Sequence, residues 1–172
     1  MLFETSAFSP FGPALVDVRH FEEYQALMTA GRRYAADPSI GLAFIHLNVP
    51  HTPYFYDPKI GPSFRYGNAG ALYSEALGWV DRSVGDILSA VKAAGLDSKT
   101  AVIISSDHPF RYSVNQDPSV PFIVHLPGNE AGVEYAPEFS TVVTSDLVLA
   151  IAGGDVKSPA DVADFMRSKR WQ

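Results

Sequence analysis

The sequence contains no cysteine, which excludes disulfides, thiolate metal ligands and cysteine nucleophiles. It also lacks the Gly-x-Ser-x-Gly, P-loop and Gly-x-Gly-x-x-Gly motifs of α/β-hydrolases, P-loop NTPases and dinucleotide enzymes. No apolar run approaches the roughly 20 residues of a membrane span, and the first residues lack the basic and apolar regions of a signal peptide. The 13 Lys+Arg against 19 Asp+Glu give a net charge of −6. This charge offers no basic footprint for nucleic acid.

The 172 residues, 47% of them hydrophobic, predict one globular domain spanning 1–172. Residues 1–16 contain several helix breakers and predict an extended lead-in. A helix is predicted from Asp17, as N-cap, until Pro38 stops the pattern. A second, long amphipathic helix is predicted over 69–94, ended by Gly95. Shorter helices are predicted over 145–152 and 159–167.

Three short apolar runs, at 42–47, 100–106 and 121–126, predict strands buried on both faces. Alternation of these strands with helices predicts an α/β layered sandwich with a mostly parallel sheet. Three strands are fewer than a sheet usually has, so the sheet is predicted to be incomplete. Because an unpaired sheet edge favours association, we also expect self-association, with helix 69–94 at the contact.

Asp107 and His108 directly follow the strand predicted over 100–106. In an open α/β sheet, ligands bind beyond the carboxyl ends of the strands. A carboxylate beside an imidazole suits Zn²⁺ or Mn²⁺, while Ca²⁺ prefers more oxygen ligands. The structural alternative is that Asp107 caps the next turn and His108 packs against it.

Two further histidines, His46 and His51, bracket the exit from the first predicted strand. His51, in a proline-rich loop, is predicted to face a phosphate or sulfate ester near the Asp107–His108 pair, where a protonated imidazole can donate hydrogen bonds. His46 lies within an apolar run, which favours a core histidine, and His20 and His125 also favour structural roles. Tyr54, Tyr56 and Arg65 are weaker candidates for holding an anion, with a surface aromatic or solvated arginine as the alternative.

Several motifs occur together in one order along the chain. They are 44–54 (FIHLNVPHTPY), Tyr73, 80–88 (VDRSVGDIL), 100–108 (TAVIISSDH), 120–128 (VPFIVHLPG) and 140–153. As an ordered set, they resemble the later half of sulfatase-like members of the alkaline phosphatase superfamily, over about residues 40–154.

This resemblance implies an alkaline-phosphatase-like α/β fold in which Asp107 and His108 bind a divalent metal ion (Ca²⁺, Zn²⁺ or Mn²⁺). It implies that His51 acts catalytically on the sulfuryl or phosphoryl group, with His46, Tyr54 and Arg65 near the substrate. Family members cleave or transfer sulfate or phosphate esters with a Ser, Thr or formylglycine nucleophile. An extracytoplasmic, periplasmic or cell-envelope location is implied by resemblance alone.

The chain departs from the family pattern in two ways. No nucleophile or early acidic metal ligand is recognisable before His46, and Pro109 stands where the family usually has glycine. We therefore expect the C-terminal part of a sulfatase-like catalytic domain, inactive alone. The alternative is a non-catalytic binding or interaction module that kept the fold and lost the chemistry.

Overall fold

A computed structural model of the chain describes residues 12–54, 56–57, 61–62, 67–110, 117–129 and 132–169. The chain divides into two compact units, 1–96 and 97–172, where the length predicted one domain. No helix within the described residues is both long and apolar enough to cross a membrane.

The first unit contains helix α1 (Gly12–Ala35), a short antiparallel hairpin of β1 (Tyr56–Asp57) and β2 (Gly61–Pro62), and helix α2 (Ala69–Ala93). Helix α1 begins five residues before the predicted N-cap Asp17, so the prediction of an extended lead-in is wrong over 12–16. The physical reason is that proline is tolerated in the first helical turn, where its missing N–H has no helical partner. Residues 1–11 lie outside the described part.

Helix α2 confirms the prediction from its apolar stripe and its capping residues. Its N-cap Asn68 accepts a hydrogen bond from the Ala71 amide at 3.1 Å. At the other end, the Leu96 amide donates back to the Val91 carbonyl at 3.1 Å across Gly95, whose φ is +69°. A left-handed residue at this position favours glycine, and it ends the helix where the sequence predicted.

The two long helices pack through a polar triangle inside an apolar cluster. Trp79 Nε1 donates to Tyr24 Oη at 2.5 Å, and Ser83 Oγ donates to the Trp79 carbonyl at 2.8 Å. Since the Ser83 proton is used in that bond, the 2.7 Å contact between Tyr24 and Ser83 is a bond that Tyr24 donates. Around the triangle, Tyr24 and the buried Met28 pack against partly buried apolar residues: Phe21, Leu47, Val49, Trp79 and Ile87.

The predicted strand over 42–47 is absent. These residues form no ladder with any described strand, and Leu42 and Phe44 are 68% and 89% exposed. An apolar run becomes a buried strand only when neighbouring strands accept its backbone hydrogen bonds. Ile45 instead packs against α1, where a Cβ on Gly31 would lie 3.3 Å from Ile45 Cγ2. This close approach favours glycine at position 31.

The second unit contains strands β3 (Val102–Ser105) and β4 (Phe122–His125) and helices α3 (Thr144–Gly153) and α4 (Pro159–Ser168). Short 3₁₀ turns at Asp97–Lys99 and Thr141–Val143 precede β3 and α3. Both strands and both helices confirm the predicted elements to within one or two residues. The core is formed by Leu126, Leu147 and Val156 with the inner faces of the strands.

The strand pairing corrects the sequence-based expectation. β3 and β4 are antiparallel, with Val102 opposite His125 and Ser105 opposite Phe122. A parallel pair needs a crossover connection, usually helical, whereas the described residues between these strands contain no helix. β4 is also exposed on one face, with Ile123 55% exposed, so it is not buried on both faces. The expected mostly parallel sheet is therefore not found among the described strands.

Candidate functional site

Asp107 and His108 lie immediately beyond the end of β3, as the sequence predicted. The turn that carries them is closed by Ser106 Oγ, which donates to the His108 carbonyl at 2.9 Å. The Asp107 side chain is 66% exposed and the His108 side chain 33% exposed. His108 Nε2 and Asp107 Oδ1 are 4.0 Å apart, so two potential ligand atoms face the same solvent-accessible region.

The hydrogen bond of His108 defines which nitrogen can bind a cation. Its Nδ1 lies 2.8 Å from the Pro109 carbonyl oxygen, which can only accept, so Nδ1 carries the proton. In the neutral ring Nε2 then carries the lone pair. Metal-binding histidines commonly donate their second ring N–H to a carbonyl in this manner, which orients the ring.

The donor set of this pair fits a divalent cation as two ligands of a larger site. One imidazole nitrogen and one carboxylate oxygen are both usual ligands of Zn²⁺ and Mn²⁺. Within the ranges that the structure describes, however, no group of three or more histidine and acidic side chains converges to hold a metal. Asp107 and His108 therefore represent a partial site.

His51 belongs to the first unit and lies in the loop that follows the unpaired segment. The Val49–Pro50 and Thr52–Pro53 peptide bonds on either side of it are cis. His51 Nδ1 contacts the Thr52 carbonyl oxygen at 2.6 Å and therefore carries a proton. Because the residue is exposed, an approaching anion can reach the imidazole, with Nε2 as the nitrogen left to interact.

The structure brings His51 close to His20 of α1, a residue for which the sequence favoured a structural role. The two ring centroids are 6.5 Å apart. Asn48 Nδ2 donates to the His20 carbonyl at 2.9 Å and lies 3.3 Å from His20 Nδ1. His20 and Asn48 are 28 residues apart, and no spacing signal in the sequence pairs them.

Burial lowers the pKa of His20 below the ordinary value of 6.5, and the charge of His51 lowers it further. The carboxylate of Glu23 and hydrogen bonding to the main chains of Asn48 and His51 act in the opposite direction. The balance favours the neutral imidazole at position 20. On the other side of the Asn48 amide, the buried Oδ1 accepts no hydrogen bond from any described residue.

The remaining candidates occupy different environments. Tyr54 is only 7% exposed and packs on Leu72 and Ala76 of α2, so it is not a surface aromatic. It lines a cavity of about 10 Å³ together with His51, which is at the lower limit for one water molecule and too small for a sulfate group. His46 is exposed, so the core-histidine interpretation is wrong.

The other predicted contacts stay predictions. Arg65 lies outside the described residues, as does the side chain of Tyr56. His125 is exposed on the outer side of β4. His46, His51 and Tyr54 belong to the first unit, whereas Asp107 and His108 belong to the second.

Comparison with known proteins identifies one family. Residues 20–153 match the Sulfatase family, a range that contains His51, Asp107 and His108. The chain is also similar to an endo-4-O-sulfatase of Bacteroides thetaiotaomicron, with 26% identity over 117 residues, 49% of this chain. The matched part covers 23% of the length of that relative. No solved structure matches the chain.

Proposed function

Since this chain belongs to the Sulfatase family, we propose that it supplies part of the active site of a metal-dependent enzyme that cleaves or transfers sulfate or phosphate esters. The observation that supports this most is the family match over 20–153, which includes both candidate clusters. The family acts on sulfate esters, so sulfate esters are the first substrate class to test.

In this proposal Asp107 and His108 hold a divalent metal ion. Sulfatases generally use such an ion, and the bound cation supplies charge that stabilises the sulfuryl oxygens. Three observations support the role: the pair follows a strand end, its donor atoms are solvent-accessible, and the bond from Nδ1 to the Pro109 carbonyl gives His108 a ligand-competent tautomer. The two side chains would need further ligands from outside the described residues.

His51 is proposed to interact with the sulfuryl group or the leaving oxygen. Its Nδ1 proton is engaged by the Thr52 carbonyl, so any second proton is added at Nε2. An imidazolium Nε2–H can donate to a sulfuryl oxygen or protonate the leaving alcohol as the S–O bond breaks. The small cavity beside Tyr54 cannot hold the group, which places a bound ester on the exposed side of His51.

We also propose that the nucleophile comes from a part of the parent protein outside this segment. Within this sequence, no nucleophile pattern precedes the loop that carries His51. The segment would then supply two of the metal ligands and one substrate-facing histidine. This division of roles predicts that the 172-residue chain alone does not turn over esters.

Metal titration by calorimetry tests the half-site directly. We expect Zn²⁺ or Mn²⁺ to bind the 172-residue chain, and the Asp107→Ala, His108→Ala variant to lose that binding. The matched control is Asp164→Ala, His125→Ala, because both residues are exposed in the same unit and the change removes the same side-chain types. Equal binding by all three proteins would refute the metal role and favour the non-catalytic module.

Turnover tests the larger claim. The longest form of the parent protein that contains this segment is assayed with an aryl sulfate and an aryl phosphodiester, with and without metal. Metal-dependent release that disappears in the His51→Ala variant supports the proposal. Inactivity toward both ester classes would contradict it, even if the chain binds metal.

Self-association is a separate proposal. The two-stranded sheet of β3 and β4 has two edges that no described strand covers, and such edges favour pairing between chains. Sedimentation velocity at increasing concentration tests it, and a monomer throughout would exclude it.

A further inference from the structure

We infer that His20 is a positioning residue for His51: its neutral imidazole accepts a hydrogen bond from Asn48 and thereby fixes the loop that presents His51 to the ester. The inference rests on the role proposed for His51. It assigns a function to a residue that lies 31 positions before His51 in the chain and on a different element, α1.

The orientation of the Asn48 amide follows from its contact with the helix backbone. Asn48 Nδ2 lies 2.9 Å from the His20 carbonyl oxygen. A carbonyl oxygen only accepts hydrogen bonds, so the amide nitrogen, and not the amide oxygen, faces α1. One side chain therefore anchors the start of the loop to residue 20 of the helix.

The same amide nitrogen defines the protonation of the His20 ring. It lies 3.3 Å from His20 Nδ1, and an amide NH₂ group can only donate. Nδ1 must therefore accept, which places the ring proton on Nε2. A second proton on Nδ1 would set two donors against each other, and His20 would lose its contact with Asn48.

The surroundings of His20 favour this neutral form. Burial disfavours the charged ring, and a charge on His51, whose ring centroid is 6.5 Å away, disfavours it further. Glu23 is the facing acidic group, and it acts in the opposite direction. With His20 neutral, a proton taken up by the histidine pair resides on His51, where the proposed chemistry needs it.

The two histidines consequently have opposite tautomers. In the neutral state His20 carries its proton on Nε2, whereas His51 carries its proton on Nδ1, donated to the Thr52 carbonyl at 2.6 Å. Loss of the anchor at His20 should release the loop, weaken the short bond to Thr52, and allow both His51 tautomers. A displacement of this kind near a reacting group is expected to cost about ten- to a hundredfold in kcat/KM.

Long-range ¹H–¹⁵N correlation of ¹⁵N-histidine-labelled protein measures these tautomers. In the 172-residue chain we expect one tautomer for each ring, assigned from His20→Gln and His51→Ala spectra. His20→Leu removes the acceptor and should give mixed tautomers at His51, whereas His20→Gln keeps an acceptor oxygen and should preserve the Nδ1–H form. Unchanged His51 signals in His20→Leu would overturn the inference.

A second substitution keeps the test decisive if His20→Leu fails to fold, as judged by circular dichroism. Asn48→Asp replaces the donor at His20 Nδ1 with an acceptor of nearly the same shape. His20 should then take up a proton on Nδ1, and its titration should move to higher pH. A His20 titration identical to that of the unchanged chain would contradict the assigned hydrogen bond.

Activity separates this inference from the proposed function. In the longest active form, His20→Leu should lower kcat/KM by about ten- to a hundredfold and His20→Gln should restore most of it. If the tautomers respond as expected but the unchanged protein turns over no ester, the positioning contact stands and the proposed function fails. If the unchanged protein is active and His20→Leu changes neither tautomers nor kcat/KM, the proposed function stands and the positioning role fails.

Discussion

The Tyr24 hydroxyl is expected to stabilise the packing of α1 on α2, and Tyr24→Phe tests its contribution with little change in shape. The hydroxyl accepts from Trp79 Nε1 at 2.5 Å and donates to Ser83 Oγ at 2.7 Å. Each hydrogen bond contributes a net 0.5–1.5 kcal/mol, so loss of both should cost roughly 1–3 kcal/mol of unfolding free energy. Because Ser83 is 1% exposed, water cannot easily replace the lost partner.

A matched control lies on the same helix. Tyr34 is 43% exposed, and its hydroxyl accepts from Arg33 Nη2 at 2.6 Å on the surface. Tyr34→Phe removes the same atom, but solvent can replace the bond, so the expected change is within about 0.5 kcal/mol. The contrast between the two variants measures burial and connectivity, because the chemical change is identical.

Urea unfolding followed by the fluorescence of Trp79 measures both effects. The sequence has two tryptophans, so Trp171→Phe serves as the common background. A Tyr24→Phe, Ser83→Ala double variant should be less destabilised than the sum of its single variants by about 1 kcal/mol, since both remove the shared bond. Additive losses, or a Tyr24→Phe variant as stable as Tyr34→Phe, would refute the closed triangle of hydrogen bonds.

Three further predictions concern the cores and the exposed segment. Leu147 has no exposed surface, so Leu147→Ala should cost about 2–5 kcal/mol of unfolding free energy, whereas the 71% exposed Leu149 should tolerate the same change within about 0.5 kcal/mol; urea midpoints decide. The lowered pKa of His20 means that the unfolded chain binds more protons, so its contribution to stability is complete above 6.5 and is lost as the pH falls through the folded-state pKa. His20→Gln should therefore make the urea midpoint less sensitive to pH between 8 and 5, and equal pH dependence would contradict this. Phe44→Ser, at an 89% exposed position, should change stability by less than about 0.5 kcal/mol, and a larger loss in urea unfolding would show that the ring is covered.

Features encoded locally could be predicted from the sequence. Helix α2 was predicted at both ends because an apolar stripe of period 3.6 and a left-handed glycine act within a few residues. Helix α4 likewise begins where Ser158 and Asp161 form a capping box. The start of α1 was missed because Pro13, interpreted as a breaker, is compatible with a first helical turn.

Features that depend on distant partners could not be predicted in the same way. The run 42–47 has the composition of a buried strand, but strand formation requires a neighbour, and none of the described residues pairs with it. The direction of β4 relative to β3 likewise depends on the connection between them and not on either apolar run.

The candidate site shows the same division. Asp107 and His108 follow a strand end, a local feature, and the structure confirms their position beyond β3. The contact of His20 and Asn48 with the His51 loop joins residues far apart in sequence, so the pattern of single residues gave it no weight. A polar side chain on the face of α1 toward α2 was the signal available, and it did not specify a partner.

Pro109 bears on the choice between an active half-site and a module that has lost its chemistry. Its missing N–H removes one donor at the edge of the site, which favoured the second hypothesis from the sequence. In the structure its carbonyl accepts from His108 Nδ1 at 2.8 Å, a bond that fixes the tautomer a metal ligand requires. Any residue presents a backbone carbonyl, so replacement of the usual glycine by proline does not by itself argue against metal binding. The decision between the two hypotheses then depends on ligands beyond Asp107 and His108, which is why metal affinity, and not the identity of residue 109, is the discriminating measurement.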